Sequence, residues 1–229
     1  TGGNLTLSTP LLTGAQKSIM NYTAGGALAV TVPTGLAQSA ATSTISGAEI
    51  DLTGNSVAIA STILLPSGKL VVNATNDIAI GGSGRIDLSG QPSMIQKATV
   101  YGFGGTAIFN SSQGGFTQAA GSVIDVSATN ASAGSISISA GSGAVSFGGR
   151  LAGSATGNNT SGDFSVTAAS MSSTDFAALN ALLTQGGLFD ARSFDIKSGD
   201  LVIGDGVKAH SVTVSVDGGA LTVAGTIDA

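Results

Sequence analysis

One short strand keeps returning behind a glycine. It reads Gly47-Ala48-Glu49-Ile50-Asp51-Leu52, Gly84-Arg85-Ile86-Asp87-Leu88 and Gly121-Ser122-Val123-Ile124-Asp125-Val126, with looser copies at Leu188-Phe189-Asp190-Ala191 and Gly225-Thr226-Ile227-Asp228-Ala229. The aspartates are 36, 38, 65 and 38 residues apart. A strand that recurs at a nearly fixed interval marks a stacked repeat, in which each unit buries its apolar face only against the next.

The remaining segments fit that frame. Asn4-Leu5-Thr6-Leu7-Ser8, Ala27-Leu28-Ala29-Val30-Thr31-Val32, Lys69-Leu70-Val71-Val72-Asn73 and Ser135-Ile136-Ser137-Ile138-Ser139 alternate apolar with polar, so one face is buried and the other is wet. Glycine supplies the corners: 35 of 229 residues are Gly. Aromatics are 4% with no Trp, so the apolar content is small aliphatic and suits a slim interior. Asn-Gly and Asp-Gly hairpin signals are sparse; Asp217-Gly218-Gly219 and Asp205-Gly206 are the best candidates. The reading is an all-β, right-handed parallel β-helix. An interval near 37 residues divides into two turns of 18 to 19, which gives eleven or twelve turns and a rod of about 55 Å. On that register Asp51, Asp87, Asp125, Asp190 and Asp228 form one outward column at every second turn. Arg85 and Arg150 stand beside it as pairing candidates.

Two stretches depart from the pattern. Ser173-Thr174-Asp175 precedes Phe176, Leu179, Leu182 and Leu183, with Gly186 behind them. A cap, an acid in the first turn, an apolar stripe and a glycine stop predict a short helix over 174–184, its apolar side laid on the rod. The stretch 91–120 gathers Tyr101, Phe103, Phe109 and Phe116 among glycines and reads as an insertion whose aromatics are candidate ligand contacts. Residues 1–229 therefore read as a single β-helix segment of a longer protein, with irregular insertions at about 91–120 and 171–185.

Gly-Arg-Ile-Asp-Leu-Ser-Gly at 84–90, Gly-Ser-Val-Ile-Asp-Val-Ser-Ala at 121–128 and Gly-Gly-Ala-Leu-Thr-Val-Ala-Gly-Thr-Ile-Asp-Ala at 218–229 resemble the repeats of filamentous-haemagglutinin-type exoproteins, the large adhesins of bacterial two-partner secretion. The likeness covers most of 47–90, 121–168 and 186–229. It implies a right-handed parallel β-helix, export through an outer-membrane transporter, a secreted or cell-surface location, and a role in adhesion, aggregation or biofilm matrix. The family's Asn-Pro-Asn secretion motifs do not occur in this chain, so the likeness implies shaft rather than secretion domain.

Composition removes other classes. The net charge is −5 with eight scattered Lys and Arg, against nucleic-acid binding. The absence of Cys rules out disulfides and thiol chemistry and suits a protein that crosses membranes unfolded. No apolar run approaches the roughly 20 residues of a membrane span. The single histidine, His210, lies in a strand-like run, the wrong setting for a catalytic triad. Glu49 and Asp51 share a strand face about 7 Å apart, within the range of a glycosidase pair, but Glu49 is the sole Glu. Gly199-Asp200 and Gly204-Asp205-Gly206 offer corner oxygens to calcium, though the calcium-roll nonapeptide is absent. The expectation is a non-enzymatic shaft with no catalytic residues, no metal and no cofactor. Its partners would be the transporter, a glycan or host or neighbouring cell surface, and its own open ends, which invite end-to-end association. The competing reading is a carbohydrate-binding module using the 91–120 loop, and behind it a polysaccharide-cleaving enzyme.

Overall fold

A computed structural model describes residues 2–38 and 45–229. The chain winds through three sheet faces in a fixed order. The first turn is β1 (Leu5–Ser8), β2 (Leu11–Thr13) and β3 (Ile19–Thr23), and the second supplies β4 (Ala27–Thr31) and β5 (Glu49–Gly54). The third is β6 (Ser56–Ala60), β7 (Thr62–Leu64) and β8 (Lys69–Ala74). The fourth holds β9 (Ile78–Ile80), β10 (Arg85–Asp87), a side pair β11 (Pro92–Ile95) and β12 (Ala98–Tyr101), then β13 (Thr106–Ser111). The fifth is β14 (Phe116–Gln118), β15 (Val123–Asp125) and β16 (Ser135–Ala140), and the sixth β17 (Val145–Phe147), β18 (Arg150–Ala152) and β19 (Asp163–Ser170). The seventh is α1 (Ser173–Gln185) and β20 (Ala191–Ser198). The eighth is β21 (Leu201–Ile203), β22 (Val207–Lys208) and β23 (Ser211–Val216), and β24 (Leu221–Val223) and β25 (Ile227–Asp228) follow.

Each face is a parallel ladder. The third face runs without interruption through eight strands, β3-β5-β8-β13-β16-β19-β20-β23. The first face is β1-β4-β6-β9-β14-β17, and the second is β2-β7-β10-β15-β18. Among the described strands one pairing is antiparallel, β11 with β12. The expected all-β parallel solenoid with one helix is thus the fold observed, and it is not a sandwich.

The turn length differs from the expectation. Glu49 pairs with Lys69 one turn on, 20 residues later, whereas Lys69 pairs with Thr106, 37 residues later. The basic turn is about 20 residues, and corner insertions stretch it. Eight strands on the third face put its first and last strands about 34 Å apart, shorter than the expected rod.

Most of the 91–120 stretch is regular coil. β13 and β14 sit in the ladders of the third and first faces. The true insertion is the β11–β12 hairpin, closed by a two-residue turn at Gln96 and Lys97, both at positive φ (47° and 69°). Two positive φ angles define the turn that matches strand twist, usually built from Asn-Gly, so Gln-Lys gave no signal for it. The glycine pairs named as hairpin candidates turn corners between parallel strands instead: Leu201 pairs in parallel with Leu221, and Val207 with Ile227.

The interior is aliphatic, with a phenylalanine stack threading it. Phe109, Phe116, Phe147, Phe164, Phe194 and Phe176 follow one another at centroid distances of 5.1, 5.6, 5.8, 6.2 and 4.8 Å. Turns pack too closely at corners for side chains: a Cβ on Gly134 would lie 1.8 Å from the Gly105 carbonyl oxygen.

Helix α1 takes the place of the first- and second-face strands of the seventh turn. It packs against β18 below and against β21 and β22 above, while β20 keeps the third face continuous. A helix about 10 Å across fills two ladder steps of about 4.8 Å, so the turns above and below stay level. It begins at Ser173, one residue before the expected start, and its cap is Ser172, whose Oγ accepts from the Asp175 N–H. It stops at Gly187, at φ +73°. There Gly187 N–H reaches the Thr184 carbonyl and Leu188 N–H the Leu183 carbonyl, the paired bonds of a Schellman motif. Phe176, Leu179 and Leu183 are buried as expected, but the fourth buried position is Asn180, and Leu182 is half-buried.

Candidate functional site

The aspartates of the repeat do not form one column. Asp51 lies on the third face beside Asn21 and Val71. Asp87 and Asp125 are direct neighbours on the second face. Asp190 is at a corner outside any strand, and Asp228 pairs with Lys208. The 38-residue interval from Asp87 to Asp125 is one stretched turn, not two short ones. Each of these two carboxylates is held locally: Asp87 Oδ1 accepts from the Ser89 N–H (3.1 Å) and Oγ (2.6 Å), and Asp125 Oδ1 from the Ser127 N–H (3.0 Å) and Oγ (2.5 Å). Arg85 also reaches Asp87 at 3.0 Å, while Arg150 stands opposite Val123.

The four candidate aromatic contacts separate in the same way. Phe109 and Phe116 are wholly buried members of the phenylalanine stack and cannot touch a ligand. Phe103 is 66% exposed and Tyr101 37%, at the base of the hairpin. Alternation places Phe109 inward on β13, with Ala107 and Ser111.

Glu49 and Asp51 share the outward side of β5, but Glu49 is engaged by Lys69 at 2.7 Å. That hydrogen bond, with the charge behind it, holds the Lys69 ammonium above its ordinary pKa. The proposed calcium corners have a different role. Asp200 Oδ1 accepts from the Ala220 N–H and Asp205 Oδ1 from the Thr226 N–H, both at 2.8 Å. Asn4 does the same for Ala27, Asp77 for Gly115 and Asp163 for Ala191. At a corner the ladder lapses, and a short polar side chain of one turn satisfies an amide of the next that would otherwise lack a partner. Outward amides stack as well: Asn110 Nδ2 donates to Asn73 Oδ1 at 2.9 Å, and Asn76 to Asn55 at 3.2 Å. The 37-residue spacing of Asn73 and Asn110 was the sequence trace of this ladder. Among the described residues no group of three His, Cys, Asp or Glu is placed to hold a metal ion.

The most chemically varied ground is the corner between the second and third faces, over the last turns. There a cleft of about 790 Å³ runs between the loop at 158–161, the Phe189-Asp190 corner, and the Lys208, His210 and Asp228 side chains. His210 Nδ1 is 3.7 Å from Asp190 Oδ1, and Lys208 Nζ is 2.9 Å from Asp228 Oδ2. Beside it, burial and then the Asp190 charge push the Asp163 carboxyl above its ordinary pKa. Behind the Phe189 ring lies Arg192, its guanidinium 5.5 Å from the ring centroid.

Arg192 is 1% exposed and occupies an inward strand position. Its Nε donates to the Leu188 carbonyl (2.9 Å), Nη1 to Asn180 Oδ1 (3.1 Å) and Nη2 to Thr184 Oγ1 (3.2 Å). Burial lowers its pKa to about 10. The guanidinium fork thus binds the C-terminal part of α1, where carbonyls and the helix dipole favour a cation. This explains why Asn180 is buried. A lone Arg in an alternating strand carries no sign of such a partner in sequence.

No protein family, curated protein or solved structure matches the chain.

Proposed function

We propose that the chain is a structural shaft segment of a large secreted bacterial adhesin, a stiff spacer that acts in cell adhesion, aggregation or biofilm matrix. The observation that carries this reading is the eight-strand parallel ladder of the third face, unbroken even where a helix replaces strands on the other two. A rod of this kind resists bending because its turns are hydrogen-bonded to one another without a gap along the third face. Its outward third-face positions are mostly short and polar, as in Ser137, Ser165, Ser193 and Thr213. The reading assigns no catalysis, in keeping with Glu49 held by Lys69.

The resemblance of the repeats supports a secreted or bacterial cell-surface location and export through an outer-membrane two-partner transporter. End-to-end association belongs to the same reading, since a solenoid without caps offers unpaired strand edges. Pulling residues 1–229 from their two ends tests the shaft. A cooperative high-force event is expected, and gradual extension at low force would overturn it. Antibody labelling of intact source cells tests location, and signal only after lysis would remove the surface assignment. Light scattering should show association rising with concentration; a strict monomer would count against open ends.

A further inference from the structure

We propose that the corner cleft between the 158–161 loop and His210 is a binding site for a neutral oligosaccharide chain lying along the rod. The shape comes first. The cleft is an open groove across successive turns of the ladder, about 14 Å over three steps. An extended chain fits such a groove, whereas a small apolar ligand needs a pocket that buries most of its surface. The chemistry is mixed. Asn158 and Ser161 present an amide and a hydroxyl, Asp190 and His210 a carboxylate and an imidazole, and Phe189 a half-buried ring fixed from behind by Arg192. Amides and hydroxyls both donate to and accept from sugar hydroxyls, carboxylates accept from them, and an aromatic face packs against the C–H side of a sugar ring.

Charge and backbone weigh against the alternatives. Asp190 and Asp228 outweigh Lys208, which is already bonded to Asp228, so the groove lacks the free cations that a phosphate or nucleic-acid backbone needs. A peptide would bind most simply by adding a strand, and two of the amides at this corner are already engaged within the ladder. His210 N–H donates to the Phe189 carbonyl at 2.6 Å and Ser211 N–H to the Asp190 carbonyl at 2.8 Å.

The test titrates the 229-residue chain with neutral tetrasaccharides of glucose, mannose, galactose and N-acetylglucosamine, and with an acidic heparin tetrasaccharide, read by calorimetry and ligand NMR. At least one neutral probe is expected to saturate with a Kd below about 1 mM. Phe189→Ala and Asn158→Ala should each weaken it at least tenfold, while Phe103→Ala at the hairpin leaves it unchanged. Asn158 is exposed, so its variant reports on binding without disturbing the core. Failure of every neutral probe, tighter binding of the acidic probe, or undiminished binding by Asn158→Ala would each overturn the proposal. These readouts are independent of the pulling experiment, so the shaft and the site can fail separately.

Discussion

Asp87 and Asp125 stand opposite each other on neighbouring strands, and each folds its carboxylate back onto the serine two residues ahead. Two carboxylates one ladder step apart repel by about 1 kcal/mol in water. Serine hydroxyl and amide donors on both, and Arg85 on Asp87, offset that cost. The Ile-Asp-x-Ser sequence is therefore a corner-closing device more than a surface charge.

Asp125→Ala should lower stability by about 1 kcal/mol, because the Ser127 amide and hydroxyl lose their acceptor. Asp125→Asn keeps an acceptor oxygen and removes the repulsion, so it should stay within about 0.5 kcal/mol of the parent. Urea unfolding of the two variants checks the contrast.

The phenylalanine stack gives a second contrast. Phe116 is fully buried between Phe109 and Phe147, and its truncation to Ala should cost about 3–5 kcal/mol. Phe103→Ala should change stability by no more than about 0.5 kcal/mol, since that ring is 66% exposed. Equal losses for both would refute the division of 91–120 into coil and hairpin.

Arg192 has no carboxylate partner among its contacts; carbonyls, an amide and a hydroxyl hold it. Arg192→Ala should cost about 3–5 kcal/mol, by leaving a void and an unpaired Asn180. Arg192→Lys should also be destabilising, because an ammonium cannot reproduce the fork. Replacing Arg192 and Asn180 together by Leu should recover part of the loss, because the buried Asn180 amide is no longer stranded, while the Leu188 carbonyl and the Thr184 hydroxyl still lose a donor. A double-mutant cycle in thermal unfolding measures the coupling.

Asp163 supplies a pH signature. Its folded-state pKa lies above the ordinary 3.8, chiefly through burial and next through Asp190. The folded protein therefore takes up this proton before the unfolded chain does, and the penalty of the ionised group is relieved as pH falls through the folded value. Asp163→Asn keeps the oxygen that accepts from Ala191 and removes the charge. It should stabilise the protein at pH 7 by less than about 1 kcal/mol, the gain fading to nothing below about pH 3.8. A gain that persists at low pH would show that charge is not the cause.

Several features were readable from residues alone because they are set by neighbours in sequence. Alternation in Leu70, Val72 and Ile136, Ile138 names the inward side without any knowledge of the fold, and all four are buried. The acid in the first turn and the glycine stop placed α1 within two residues. The corner acceptors Asp200 and Asp205 were noticed as exposed oxygens, but their amide partners lie 20 and 21 residues away, beyond any local pattern. The hairpin was missed because Gln96 and Lys97 adopt positive φ without the residues that favour it.

The sequence by itself favoured parallel coils over a sandwich, since one strand recurs at a nearly fixed interval and hairpin turn signals are sparse. Tertiary structure alone decided how many residues fill each turn, and hence that Asp87 faces Asp125, that Phe109 and Phe116 join one interior stack, and that Arg192 closes on α1. The reason is physical. A side chain's inward or outward direction follows from the two-residue period of its own strand, whereas its neighbour one turn away depends on how much chain each corner absorbs, which is settled only when the ladders pair.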